Sequence, residues 1–297
     1  MSIRPSRSVS AAALFGLLLA ASAARADGPI APFKDDLFAY PPLTAFSPDG
    51  TFIDVDYQEA RDIDQRDEVP ERRVRAAYVD LAPLARQRER IVDTSAGPLK
   101  TIEVGDPGGS GPIVLFVHGR NGDRRLGMND RTFGGNFNRL KNLVARAGGF
   151  YVTVDAGSFS PADGARIGEL VEGLGRRSGR PAVVLACASM GGEFCWGLLG
   201  ERRVVGAVAS VVMLSANNPP SRVEAMRDLA APRRIPLLLA HGTRDKVFGW
   251  AAVQALYDRL LAAKEPVRFV SFETGNHGTP LRMIDWRDSL NWLLSRT

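Results

Sequence analysis

Cysteine is nearly absent: Cys187 and Cys195 are the only two in 297 residues, so no disulfide framework supports the chain and a buried apolar core must. Histidine is as scarce, with His118, His241 and His277 far apart in sequence. Such scattered imidazoles offer no ligand cluster, so no metal is expected, and no other cofactor either. Lysine gives way to arginine, leaving only Lys34, Lys100, Lys141, Lys246 and Lys264. Beyond the N-terminal stretch no segment approaches the ~20 consecutive apolar residues of a membrane-spanning helix. What is there, 45% hydrophobic and 24% charged residues, excludes a disordered, collagenous or coiled-coil chain.

The formal net charge of +5 would by itself raise a nucleic-acid partner. Its location argues otherwise. Arg4 and Arg7 precede an apolar run from Ala11 to Ala24, and Ala24-Arg25-Ala26 follows before Asp27. A positive start, a short apolar run and an Ala-x-Ala site read as a secretory signal peptide over 1–26, cleaved after Ala26. Cleavage removes three arginines and no acid, taking the balance from +5 to +2, and no nucleic-acid partner is expected. The remaining chain is expected in the periplasm or outside the cell, with no stable membrane anchor. There Cys187 and Cys195 have two options, a bridge or two small core residues.

Residues 27–50 carry Pro29, Pro32, Pro41, Pro42 and Pro48, which read as an extended lead-in lying on the surface. Residues 51–297 read as one domain. Its first part holds short alternating runs, Thr51–Tyr57, Arg73–Val79 and Lys100–Val104, expected as antiparallel strands with one wet face. From Pro112 the texture changes. Apolar runs at Ile113–Val117, Phe150–Val154, Ala182–Ala186, Val204–Leu214, Ile235–Ala240 and Val267–Phe272 read as strands. Helical patterns at Leu140–Ala147, Ile167–Leu174, Gly191–Leu199, Ala251–Ala263 and Met283–Leu294 alternate with them. This is the pattern of a mostly parallel sheet covered by helices on both faces.

Ligands of such sheets sit beyond the carboxyl ends of the strands, so the chemistry is expected at the turns there. Ser189 lies where a buried strand must reverse into a helix, with Gly191 and Gly192 behind it. A serine hydroxyl needs a base within reach and a third group to orient that base. His277, in a Gly-rich loop after the last strand, is the base expected, and Asp245, past the preceding strand, the orienting acid. His118 and His241, each before a glycine at a strand end, are expected to pack and orient loops.

Four motifs at these turns, Cys187-Ala-Ser-Met-Gly-Gly192, His241-Gly-Thr-Arg-Asp245, Asn276-His-Gly278 and His118-Gly-Arg-Asn-Gly122, together resemble those of the α/β-hydrolases, over roughly residues 70–297. The resemblance implies a nucleophile elbow at Ser189 and an oxyanion hole from the backbone amides of Arg120 and Met190. It departs at Cys187, where the family pattern has Gly, which also makes Cys187 a rival nucleophile. Only residues 215–234 separate two successive strands where lidded members insert a cap, so the site is expected to be open. The expected reaction is acyl transfer from a small or polymeric carboxylic ester to water. The same triad also serves peptidases, thioesterases and acyltransferases, and a hydrolase fold retained only for binding is the non-catalytic alternative.

Arg120, Arg124, Arg125 and Arg131 crowd the oxyanion loop against Asp123 and Asp130. They read either as contacts for an anionic substrate, Arg124 and Arg125 foremost, or as a solvated arginine-rich loop. Met128, Phe133, Phe159, Phe248 and Trp250 lie after strand ends where they would line a pocket, with Phe159 and Phe248 nearest the substrate, while Phe248 and Trp250 read equally as packing the start of the helix near Ala251.

Overall fold

Among the described residues, which are 28–68, 73–179 and 182–297 of the computed structural model, ten strands form one sheet and two form a small ribbon. In chain order the strands are β1 (Leu43–Phe46), β2 (Phe52–Val55), β3 (Asp67–Glu68), β4 (Arg73–Val74), β5 (Gln87–Val92), β6 (Leu99–Gly105), β7 (Ile113–Val117), β8 (Phe150–Val154), β9 (Val183–Ala188), β10 (Val208–Leu214), β11 (Leu237–Gly242) and β12 (Val267–Phe272). The sheet order is β1-β2-β12-β11-β10-β9-β7-β8-β6-β5. β7 through β12 run parallel, and β6 and β5 are antiparallel at one edge. The signal peptide expected over 1–26 lies outside the described residues.

Successive strand residues face opposite sides, so each continuous apolar run supplies two cores. On one side Leu115, Val117, Leu185 and Val211 pack beneath Ile167 and Val171 of the helix Pro161–Ser178, Trp196 of the helix Met190–Leu198, and Val253 and Leu256 of the helix Trp250–Ala262. On the other, Val114, Phe116, Val184 and Val212 meet Phe137 and Leu140 of the helix Asn136–Arg146, and Trp286 and Leu290 of the helix Trp286–Leu294.

Four sequence expectations change. Thr51–Tyr57 supplies β2, which runs parallel to β12 and antiparallel only to β1. Alternation reports one wet face and says nothing about direction. Arg73–Val79 is a strand only at Arg73–Val74; Ala76–Tyr78 turns into a 3-10 helix, and the Tyr78 ring meets Phe38 edge-on at 5.4 Å. Val204–Leu214 divides into the helix Arg202–Ala207 and β10, because an apolar run alone does not separate a buried helix from a buried strand. Met283–Leu294 likewise divides into Thr279–Met283 and Trp286–Leu294, where the Asp285 carboxylate accepts from the Arg287 and Asp288 amides and starts the second helix.

The described part of the lead-in is mostly exposed but is pinned to the body at two points. Ile30 and Phe38 are buried, and the Ile30 amide donates to Asn291 Oδ1 at 2.9 Å while Arg287 Nε donates to the Ile30 carbonyl at 2.9 Å. Arg139, wholly buried, bridges Asp35 at 3.0 Å and Asp285 at 2.8 Å, tying this segment to the last helix. We expect Arg139→Met to cost about 3–5 kcal/mol, because the buried Asp285 carboxylate loses this guanidinium while half-buried Asp35 keeps Arg287. Urea unfolding would show a lower midpoint with an unchanged slope. A cost under ~1 kcal/mol would mean that the bridge contributes nothing net.

Candidate active site

Ser189 sits between β9 and the helix Met190–Leu198 with φ 52° and ψ −123°, a conformation an L-residue adopts only when its surroundings force it. Gly191 shows the force. A Cβ there would lie 2.3 Å from the His118 carbonyl oxygen, so the helix backbone crosses the end of β7 at a distance that only glycine permits.

Cys187 and Cys195 form a disulfide, both residues wholly buried, which joins β9 to the helix just beyond the turn. That resolves the alternative left open by the sequence. It also withdraws Cys187 as a rival nucleophile, since its sulfur is bonded to another.

The His277 ring connects two side chains. Nδ1 lies 2.7 Å from Asp245 Oδ2 and Nε2 lies 2.8 Å from Ser189 Oγ. A carboxylate only accepts, so Nδ1 carries the proton, and Nε2 presents its lone pair to the serine hydroxyl. The Asp245 side chain is fully buried, while His277 is 31% exposed and reachable by a ligand. Asp245 Oδ1 accepts from the Val247 amide at 2.7 Å and the Phe248 amide at 3.2 Å, which fixes the carboxylate plane.

His118 acts on the loop it begins. The Ala156 amide donates to its Nε2 at 3.1 Å, which places the ring proton on Nδ1 for donation to the Gly119 carbonyl at 2.7 Å. Gly119 passes so near the serine that a Cβ on it would lie 3.0 Å from Ser189 Cβ. The backbone of Arg120 follows directly, and Met190 opens the next helix, where an amide has no intrahelical acceptor.

The expected substrate contacts sort unevenly. Arg124 bridges Asp155 at 2.9 Å and Glu89 at 2.9 Å, and Arg125 pairs with Asp123 two residues back. Asp155 and Glu89, both outside the loop, occupy the Arg124 guanidinium and Asp123 within it pairs with Arg125, so the structure does not hold them toward a substrate anion. Phe159 meets the His118 ring at 5.6 Å and Phe194 at 5.5 Å, and Phe248 lies 5.8 Å from the His277 ring. Met128 is instead core, Phe133 packs on Phe137, and Trp250 packs on Phe269 while donating to Ser271 Oγ. Phe194 was not foreseen, because within its apolar helix it reads as one more core residue.

No family model and no curated protein matches the sequence. Solved structures share its architecture at low identity. A mutant of the feruloyl esterase module from Clostridium thermocellum, complexed with sinapinate, superposes with a TM-score of 0.55 at 15% identity, over 75% of this chain and 93% of that one. An esterase from Pyrococcus furiosus gives 0.52 at 16% identity, over 71% and 90%. A protein of unknown function from Agrobacterium tumefaciens, a candidate α/β hydrolase, gives 0.50 at 17% identity, over 70% and 95%.

Proposed function

The chain has the α/β-hydrolase fold, and on that premise we propose that it is a serine hydrolase that cleaves carboxylic esters through an acyl-enzyme on Ser189. One observation carries the reading: the unbroken relay of Ser189 Oγ, His277 and Asp245, at 2.8 and 2.7 Å, on a strained turn.

In this mechanism Ser189 Oγ attacks the ester carbonyl carbon as His277 Nε2 takes the hydroxyl proton. The carbonyl oxygen gains negative charge opposite the amides of Arg120 and Met190, whose dipoles stabilise it. Collapse expels the alcohol, which receives the proton from His277. Water, deprotonated by the same nitrogen, then releases the carboxylic acid and regenerates the serine. The substrate is a small or polymeric ester. Phe159 meets Phe194 of the helix that follows Ser189 and the ring of His118, and the neighbour complexed with sinapinate is a feruloyl esterase, so aromatic acyl groups belong among the substrates to try. Export to the periplasm or beyond is part of the proposal, supported by the buried disulfide and the arginine-led apolar start of the sequence.

The test is labelling with a fluorophosphonate, alongside hydrolysis of acetyl, longer-chain and hydroxycinnamoyl esters. We expect one phosphonyl group, on Ser189, with parallel loss of ester hydrolysis. Intact protein that neither labels nor turns over any of these esters would restore the non-catalytic, ligand-binding alternative.

A further inference from the structure

We propose that His241 is a positioning residue, which holds Asp245 and Phe248 in the arrangement that orients His277. The inference rests on the serine-hydrolase reading and adds to it a second imidazole that stands outside the relay of Ser189, His277 and Asp245.

His241 is 1% exposed, at the end of β11. Its Nε2 lies 2.9 Å from the Phe248 carbonyl oxygen and 3.3 Å from Asp245 Oδ2. A carbonyl and a carboxylate both only accept, so Nε2 carries a proton and shares it between them. His241 therefore has the tautomer opposite to that of His277, and the two rings donate to the same oxygen from different elements. Burial pushes the His241 imidazole below its ordinary pKa, against the pull of the Phe248 carbonyl and of Asp245, and with a further push down from His277. Kept neutral in this way, it supplies a dipole and no second positive charge beside the carboxylate.

Phe248 closes the arrangement. Its amide donates to Asp245, its carbonyl accepts from His241, and its ring lies against His277. One imidazole thus reaches the acid directly and the base through an aromatic ring. Its own support is rigid: β11 is paired on both sides, with His241 in register with Ser271 of β12. Asp245 and Phe248, by contrast, stand on the loop before the helix Trp250–Ala262. A loop-borne acid fixed from a strand keeps the relay within the few tenths of an ångström that proton transfer requires.

The experiment compares wild type with His241→Leu, His241→Gln and His241→Asn, in steady-state hydrolysis of a chromogenic ester and in the rate of fluorophosphonate acylation. His241→Leu should lose roughly 10–100-fold in kcat and acylation rate with KM little changed. His241→Gln, whose amide nitrogen reaches as far as Nε2, should recover most of the loss, and His241→Asn, one methylene shorter, should not. If the leucine variant does not fold, the Gln–Asn pair carries the comparison. Wild-type kcat in His241→Leu, or equal kcat in the Gln and Asn variants, overturns the positioning role. A wild type that neither labels nor hydrolyses overturns the serine-hydrolase reading instead, before any variant is made.

Discussion

We expect Ser189→Ala to abolish ester turnover, with a loss in kcat of roughly 10⁴-fold or more, and Cys187→Ala to keep it within about tenfold per folded molecule. The first removes the hydroxyl proposed to receive the acyl group, 2.8 Å from His277 Nε2. The second removes a sulfur already bonded to Cys195, away from the relay. Its cost falls on stability, about 2.5 kcal/mol for opening a loop of 8 residues, and would appear as a lower melting temperature. Burst kinetics and intact-mass labelling on both variants check the pair. Turnover that survives in Ser189→Ala and disappears in folded Cys187→Ala would transfer the nucleophile to the cysteine.

Asp245→Asn should be almost as damaging, roughly 10⁴-fold in kcat with little change in KM. The reason lies in the partners of the carboxylate. Oδ1 accepts from the Val247 and Phe248 amides, so the single carbonyl oxygen of asparagine must take that place. The amide NH₂ then occupies the position of Oδ2, facing His277 Nδ1 and His241 Nε2. Facing a donor, Nδ1 must give up its proton, which moves to Nε2, and the ring loses the lone pair that accepts from Ser189. A further donor also meets the His241 N–H. Fluorophosphonate acylation, which needs the base, should fall in parallel with kcat. Retention of kcat to within tenfold would show that the carboxylate does not set the tautomer.

Much of this arrangement was legible in the order of residues. Apolar runs too continuous for a one-sided sheet announced parallel strands, and strand ends in such a sheet share one edge. Ser189, Asp245 and His277 stand at three of those ends, so their meeting follows from topology once the strands are recognised. The split of Val204–Leu214 was not legible, because valines fill a buried helix and a buried strand alike and only neighbours decide. The direction of β2 was not legible either, since an alternating run fits either side of an open edge. The arginines of the oxyanion loop show the same limit: Glu89, the partner that helps to occupy Arg124, stands 35 residues away on β5.

By itself, then, the sequence determined the fold class, the strand ends at which the candidate site forms, and the three side chains that meet there, because these depend on local periodicity and on the order of turns. Tertiary structure alone decided that the two cysteines pair, that the N-terminal segment is clamped by Arg139 and Arg287, that Arg124 is occupied by Asp155 and Glu89, and that a second histidine reaches Asp245. Each of these is a contact between groups whose distance is set by how elements pack, and packing distances of a few ångströms are not encoded in separation along the chain.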